Sequence, residues 1–289
     1  AGALAFLKIL KRDGYVERLD YGCANPGSGV LPQRPTGVDC QLGDKLGGEG
    51  SVSGRMMLRY VPSDTLEILL SGDVTHESHT GPAEVLRSDT VEPQYVCGKW
   101  CNYATYAMAD QTATEPTWSP DVGAPTYFGY DLRPQTVYNG WGTSARISAD
   151  LSENLKLLSI TAYRAYNSHS TADGDLTPDS TDLESVSIRH HFFSQELRLN
   201  GEIGKVSYTV GGFYSDQNTH LVALADVRPF IPLYVTDDPV PASTYAAFAT
   251  VILPVTDKLT ATAGIRYTHE KKDYTFYRKS LEGVVVDPA

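Results

Sequence analysis

Seven histidines are the side chains in this sequence best suited to meet a metal or a metal chelate near neutral pH, because neutral imidazole is a common ligand. They are His76, His79, His169, His190, His191, His220 and His269. None of them has helix-type ligand spacing, so polar residues placed at strand ends are the commoner expectation. A second set is ionic. Arg55, Arg59, Arg146, Arg198 and Arg266 fall on the polar faces of their segments, with Glu67, Asp73, Asp150 and Glu196. Such a set could meet an anionic solute, and otherwise makes a hydrated, ion-paired wall. Four cysteines form two local pairs, Cys23 with Cys40 and Cys97 with Cys101. An even count in loop sequence fits disulfides made in an oxidising compartment. A metal at Cys97-Gly98-Lys99-Trp100-Cys101 would need further ligands at zinc spacing, and none is nearby. Trp100, Trp118 and Trp141 could stack on an aromatic or sugar-like ligand, or simply pack. No nucleophile elbow, His-Glu-x-x-His pair or phosphate-cradling glycine loop is present, so neither an enzyme nor a cofactor is expected.

The elements that would carry these residues are long strands. From Leu259 the chain alternates: Leu259, Ala261, Ala263, Ile265 and Tyr267 against Thr260, Thr262, Gly264, Arg266 and Thr268. A period of two puts the two sets on opposite faces of a strand. Tyr245, Ala247, Ala249, Val251 and Leu253 repeat the pattern before a turn at Pro254-Val255-Thr256-Asp257. The second arm is read as running on through Glu270, Lys272 and Asp273 to Tyr274 and Phe276. Arms of this length exceed the usual soluble strand of about five or six residues and suit a tilted, bilayer-spanning strand of about nine to eleven.

The same reading predicts strands over Ala3–Arg12, around Val52–Tyr60, from Leu66 to Thr75, around Ala145–Leu151 and from Leu155 to Ser168. Two more follow, around Phe193–Asn200 and from Val206 to Ser215. The facing of 155–168 is ambiguous, because Lys156 and Arg164 share a parity with Ile160 and Ala162. Turns of roughly three or four residues alternate with loops of about twenty to sixty, the longest being Ser78 to Gly140. Membrane barrels have this rhythm, with tight turns on one side and long loops on the other, whereas sandwiches and propellers have more even connections. The expected fold class is therefore all-β, an antiparallel transmembrane β-barrel segment in the outer membrane.

Composition agrees. No window approaches the ~18 apolar residues of a membrane helix. Tyrosine, at 18 against 8 phenylalanines, suits a membrane–water boundary. A net charge of -11 argues against a nucleic-acid partner. About nine strands with an open edge cannot close in lipid, so the chain is expected to be an internal piece of a larger protein.

The wording of the strands adds a resemblance. Lys11-Arg12-Asp13-Gly14-Tyr15, Arg59-Tyr60-Val61-Pro62-Ser63-Asp64-Thr65-Leu66 and Leu157-Leu158-Ser159-Ile160-Thr161-Ala162-Tyr163-Arg164 are part of it. So are Phe193-Ser194-Gln195-Glu196-Leu197-Arg198-Leu199 and Leu259-Thr260-Ala261-Thr262-Ala263-Gly264-Ile265-Arg266-Tyr267-Thr268. Together they resemble the barrel strands of TonB-dependent outer-membrane receptors, particularly the group met in sphingomonad-like bacteria. Residues 1–289 would be part of one barrel domain, roughly the third to the eleventh of about 22 strands. The resemblance implies a plug domain and a TonB box, both missing from this sequence, through which the TonB complex would act. It also implies energised uptake of a scarce nutrient, first of all a ferric siderophore, with cobalamin or carbohydrate as alternatives. A passive porin-like channel is the competing reading. The charged wall would then face a plug or an anionic solute, and the outward residues would face outer-membrane lipid.

Overall fold

The computed structural model describes residues 1–28, 39–82, 84, 117–119, 124–127, 130–131, 135–174, 183–226, 234–279 and 285–288. In chain order the elements are β1 (Gly2–Arg12), β2 (Val16–Leu19), α1 (Tyr21–Ala24), β3 (Gln41–Leu46), β4 (Glu49–Ser63) and β5 (Leu66–Thr80). The short β6 (Thr117–Ser119), β7 (Ala124–Tyr127) and β8 (Tyr130–Asp131) follow. Then come β9 (Gln135–Ser152), β10 (Leu155–Asp173), β11 (Leu183–Ile203), β12 (Val206–Asp226), β13 (Tyr234–Thr256) and β14 (Leu259–Lys272). The last are β15 (Tyr277–Lys279) and β16 (Val285–Pro288). One antiparallel sheet runs β1-β4-β5-β9-β10-β11-β12-β13, with β14 and then β15 and β16 along the far side. The sheet does not close.

Four tight connections join β4 to β5, β9 to β10, β11 to β12 and β13 to β14 through two residues each, shorter than the sequence suggests. Gly204 supplies the positive φ (62°) that a two-residue hairpin turn requires. The opposite connections are long, but less of them is loop than predicted. β5 continues to Thr80, β9 starts at Gln135, β10 reaches Asp173 and β11 starts at Leu183. β12 and β13 likewise extend to Asp226 and back to Tyr234. These extensions mix polar and apolar residues on each face, with Thr171, Ser185, Leu224 and Thr236 all buried, so they carry no alternation to read.

The predicted arm through Tyr274 and Phe276 is interrupted rather than continuous. Beyond Lys272, opposite Ala242, the ladder fails, and it resumes with Arg278 opposite Thr236. The two stretches share one register. Between them Asp273 and Thr275 donate to the carbonyls of Pro241 and Pro239. Neither proline has an N–H to return, so half the ladder bonds are missing there.

Register fixes the facing of every strand. Ile147 lies opposite Ile68 and Ser159, Ser159 opposite Leu197, and Leu197 opposite Gly212. The odd positions of β10 therefore share the apolar face, and Lys156 and Arg164 share the polar one. The alternation of β10 is weak because Ser159 and Thr161 sit on the apolar face. They are satisfied there by Gln195: Thr161 Oγ1 donates to Gln195 Oε1 (2.5 Å), and Gln195 Nε2 donates to Ser159 Oγ (3.0 Å).

Large apolar side chains on that face are exposed. Met56, Val74, Ile147, Leu197, Val210, Val251 and Ile265 are among them. Among the described residues, buried apolar side chains are few and include Tyr21, Cys23, Leu46 and Leu224, which lie towards the long-loop side. A sheet with its oily face outward and little dry core is the arrangement lipid permits and water does not.

Aromatic rings mark the upper border of the apolar belt. Trp141 packs on Tyr163 (ring centroids 5.2 Å), Phe193 on Tyr214 (6.2 Å) and Tyr214 on Tyr245 (5.0 Å). Tyr163 is opposite Phe193, and Tyr267 continues the series on β14 opposite Ala247. In register terms this line steps towards the tight turns by two residues at every second strand. A stagger near one residue per strand, with ~3.3 Å rise and ~4.8 Å spacing, corresponds to a tilt of about 35°. Tyr60 and Tyr208 lie near the opposite border. Girdles on a tilted belt are the signature of a transmembrane barrel wall.

Between β1 and β4, β2 pairs with β3, and α1 is capped by Asp20, whose Oδ1 accepts from the Cys23 amide (3.2 Å). A Cys23–Cys40 disulfide ties this unit. Cys97 and Cys101 lie outside the described residues. Because a bridge closing a 17-residue separation restricts the unfolded segment, a Cys23→Ser/Cys40→Ser variant is expected to lose on the order of 2 kcal/mol locally. Limited proteolysis should then cut within 13–48 while the barrel strands stay intact.

Candidate functional site

The polar face of the long strands is an ionic wall built in rows. Arg55, Asp73, Gly142 and Arg164 occupy one row across β4, β5, β9 and β10. Arg164 Nη2 reaches across Gly142 to donate to both carboxylate oxygens of Asp73 (3.0 Å each), and Arg55 approaches the same carboxylate at 3.5 Å. A Cβ at Gly142 would lie 2.8 Å from that Nη2, so the missing side chain is what opens the path. Towards the tight turns, Arg59 pairs with Glu67 (2.5 Å) and Lys156 with Asp150 (3.2 Å). Arg146 stands between Leu69 and Ile160. Arg198 pairs with Glu196 and lies over Phe248, whose ring also carries Arg266 (5.9 and 5.5 Å to the centroid). Arg266 Nε donates to Thr268 Oγ1 (3.0 Å). Arg55, Arg59, Arg164 and Lys156 thus meet carboxylates of other strands, and Arg198 one on its own strand, which is how a charged surface stays hydrated without repelling itself.

Above the aromatic border the polar face changes character. Tyr166 stacks on His190 (4.9 Å, 29°), Tyr138 leans on Tyr166 (5.4 Å), and Thr219 Oγ1 lies 2.8 Å from His190 Nδ1. Tyr166 is the next polar-face position above Arg164, so an aromatic ledge sits over a guanidinium. Burial, and then the neighbouring His191, push the His190 pKa below its ordinary value. The ledge is therefore uncharged at neutral pH, and it gains charge only as pH falls through that lowered value.

The histidines divide by parity. His79 and His190 share the polar face. His76, His169, His191, His220 and His269 share the apolar-face side, beyond the aromatic border. His76 Nδ1 is 2.7 Å from Asn139 Oδ1, and His169 Nδ1 is 2.9 Å from Ser187 Oγ. His79 lies 3.7 Å from Glu77. Among the described residues no three His, Cys, Asp or Glu side chains are placed to hold a metal. Trp141 belongs to the aromatic border, while Trp100 lies outside the described residues.

Sequence reasoning passed over several partners. Asp237 accepts from Lys279 Nζ and lies 2.5 Å from His220 Nε2. Asp238, almost fully buried, accepts from the Tyr274 hydroxyl and the Tyr277 amide (2.8 Å each). Arg278 lies over Tyr234 and Phe276. The bonds of Asp237 to Lys279 and of Asp238 to Tyr274 and Tyr277 join residues some forty positions apart, so nothing local announces them. An Asp-Asp pair beside two prolines was the available hint. The bond from Lys279, then that from His220, holds the Asp237 carboxyl below its usual range, and the Asp238 bond raises the Tyr274 phenol.

Because the folded pKa of Asp237 is depressed, its contribution is complete above the unfolded carboxylate value of about 3.9 and is lost as pH falls through the folded value. Amide exchange in 234–238 and 277–279 is expected to stay slow from neutral pH to about pH 5 and to quicken relative to the barrel strands below about pH 4.

The comparisons with known proteins follow this geometry. A family model described as TonB dependent receptor-like, beta-barrel matches residues 101–284, more than half of the chain. No curated protein matches the sequence. Among solved structures, the ferric yersiniabactin uptake receptor FyuA from Yersinia pestis is similar at TM-score 0.59 and 15% identity. That match covers 98% of this chain and 36% of the receptor. The unliganded ferric citrate transporter FecA matches at 0.51 and 12%, covering 82% and 31%. The open form of the ferric-catecholate import receptor Fiu from E. coli K12 matches at 0.51 and 10%, covering 95% and 41%. The chain thus spans roughly a third to two fifths of these proteins, and at such identities the likeness is one of fold. With nine long antiparallel strands, an outward oily belt and the matched family model, the chain belongs to the TonB-dependent receptor-like β-barrel family of the outer membrane.

Proposed function

We propose that residues 1–289 are part of the wall and mouth of an outer-membrane receptor that takes up a scarce nutrient with TonB-derived energy, and that the nutrient is a ferric siderophore. The observation that supports this reading most is the ledge Tyr138–Tyr166–His190, set above the Arg55–Asp73–Arg164 row on the face that would line the bore. Stacked rings with a neutral imidazole can take a planar chelating group, and guanidiniums below can meet the negative charge of a ferric complex. The structural neighbours are named for ferric yersiniabactin, ferric citrate and ferric catecholate, which supports iron chelates as a class. The TonB complex is the proposed energy partner, acting through a plug and box as the family resemblance implies. Capture at the mouth would precede entry, and the wall would bind and guide, with no catalytic step.

Growth tests this directly. A strain lacking the gene is expected to fail on one ferric siderophore as sole iron source and to recover with the wild-type gene. A Tyr166→Ala/His190→Ala variant should bind that chelate about tenfold more weakly, having lost two stacking partners. Growth unchanged on every iron source, with a defect on a carbohydrate or on cobalamin instead, would remove the siderophore assignment.

A further inference from the structure

We infer, on the siderophore reading above, that Gly140 is a positioning residue for the ledge, and that the ring it holds, Tyr138, offers a face to one aryl ring of the chelate. Gly140 lies opposite Tyr166 on the polar face, and Tyr166 lies opposite His190. An added Cβ at Gly140 would meet the Tyr138 hydroxyl oxygen at 2.4 Å and Cε1 and Cζ at 2.7 Å. The outer edge of the Tyr138 ring therefore rests on the glycine, in the space a side chain would fill, and Gly140 is buried beneath it. That sets the ring level with Tyr166 rather than one row above it. The centroids of Tyr138, Tyr166 and His190 follow at 5.4 and 4.9 Å, with interplanar angles of 31° and 29°. Rings lying edge to edge in one plane would need about 6 Å at ordinary carbon contact. These three instead stand one behind another like plates, close to the ~4.8 Å strand spacing.

A stack has two end faces. His190 ends it on the β12 side, where Thr219 is bonded to the imidazole. The other end is the face of Tyr138 turned towards β5. There the same row continues with Thr75 and then Ser53, both short side chains. Among the described residues no second ring packs on Tyr138 besides Tyr166. A fourth plate standing over Thr75 would meet Tyr138 in the offset arrangement that aromatic pairs favour. One row lower lie Asp73 and Arg55, and one row higher lie Glu77 and Ser51. Arg55 is exposed, and its approach to Asp73 at 3.5 Å leaves N–H donors for a further oxygen. Glu77, 3.7 Å from His79, accepts hydrogen bonds and repels anions. The slot thus turns the oxygens of a phenolate or catecholate down towards Arg55. A ring-free anionic chelate could reach Arg55 but has no plate for the slot. Selectivity for aryl-bearing chelates follows, and it depends on Gly140 through Tyr138.

The full-length receptor in detergent can be titrated by calorimetry with two anionic ferric complexes, that of 2,3-dihydroxybenzoate and that of citrate. The wild-type protein is expected to bind the dihydroxybenzoate complex about tenfold more tightly. Tyr138→Ala should remove that preference, and Tyr138→Phe should keep it. The atoms that Gly140→Ala displaces belong to the outer end of a side chain. This variant should therefore keep the heat-modifiable migration of the wild type yet lose most of the preference. Added to Tyr138→Ala, Gly140→Ala should change neither affinity further, since the glycine acts only through the ring. Equal affinity of the wild type for the two complexes, or binding of neither, overturns the aryl slot. A further loss in the double variant, or an equal loss of ferric citrate binding in Gly140→Ala, overturns the positioning role. Equal affinities together with an iron-growth defect in the deletion strain would sink the slot alone and leave the uptake reading standing.

Discussion

Leu197→Arg is expected to destabilise the full-length barrel by about 2–4 kcal/mol, the cost measured for Arg near a bilayer midplane on a lipid face. Leu197 lies outward on β11, between the Phe193 border and the tight turn at Gly204, and about half of its surface is exposed. The next residue is already an arginine. Arg198 points to the polar face, pairs with Glu196 and lies over the Phe248 ring. One residue along the chain thus separates a place where guanidinium is native from one where it is costly. Folding into lipid vesicles followed by denaturant titration measures the difference. Asn200→Arg, on the polar face, is the control and should cost less than about 1 kcal/mol. A Leu197→Arg penalty no greater than the control would mean that this face does not meet lipid.

A second large effect is expected at adjacent glycines. At Gly211 an added Cβ would lie 2.4 Å from Phe248 Cζ and 2.8 Å from the backbone oxygen of Leu197. The ring is held between Arg198 and Arg266, and the backbone oxygen cannot yield. Gly211→Ala therefore overpacks the wall, with an expected cost of about 3 kcal/mol and loss of the Arg–Phe–Arg stack. At Gly212 the nearest atom to a new Cβ is 3.7 Å away, an ordinary contact. Gly212→Ala should be near neutral. Heat-modifiable migration and denaturant midpoints of the two variants compare them directly. Equal effects would show that strand propensity, not the Phe248 contact, decides.

Much of this architecture was legible because a barrel wall writes itself in period two. Ile265 and Arg266, or Val210 and Gly211, declare opposite faces without any tertiary knowledge. The signal failed where its physical cause was absent. In 183–188 and 219–226 polar and apolar residues are mixed on each face, with the paired Ser185 and Leu224 both buried, so these segments read as loop although they are paired strand. β10 is ambiguous for another reason. Gln195, on the neighbouring strand, satisfies Ser159 and Thr161, so polar residues occupy an apolar face, and Ile160 and Ala162 fill polar-face positions.

The break after Lys272 was invisible from its own residues, because it is caused by prolines on β13. Charge was easier to assign to a face than to pair. Arg55 and Asp73 were read as wall residues, but their link to Arg164 depends on the gap at Gly142, a long-range fact. The sequence puts the histidines at strand ends, yet parity splits them between the two faces, which position along the chain alone does not reveal.

The most direct test is nitroxide scanning of β12 in the full-length receptor reconstituted into bilayers, with single labels at positions 206, 207, 209, 210, 212 and 215. Collision rates with oxygen, which concentrates in lipid, and with a water-soluble nickel chelate are the readout. Labels at Val206, Val210 and Gly212 should favour oxygen, and those at Ser207, Thr209 and Ser215 should be shielded from it. A profile without period two, or one with the phases exchanged, would contradict the lipid-facing assignment on which the wall and the ledge both depend.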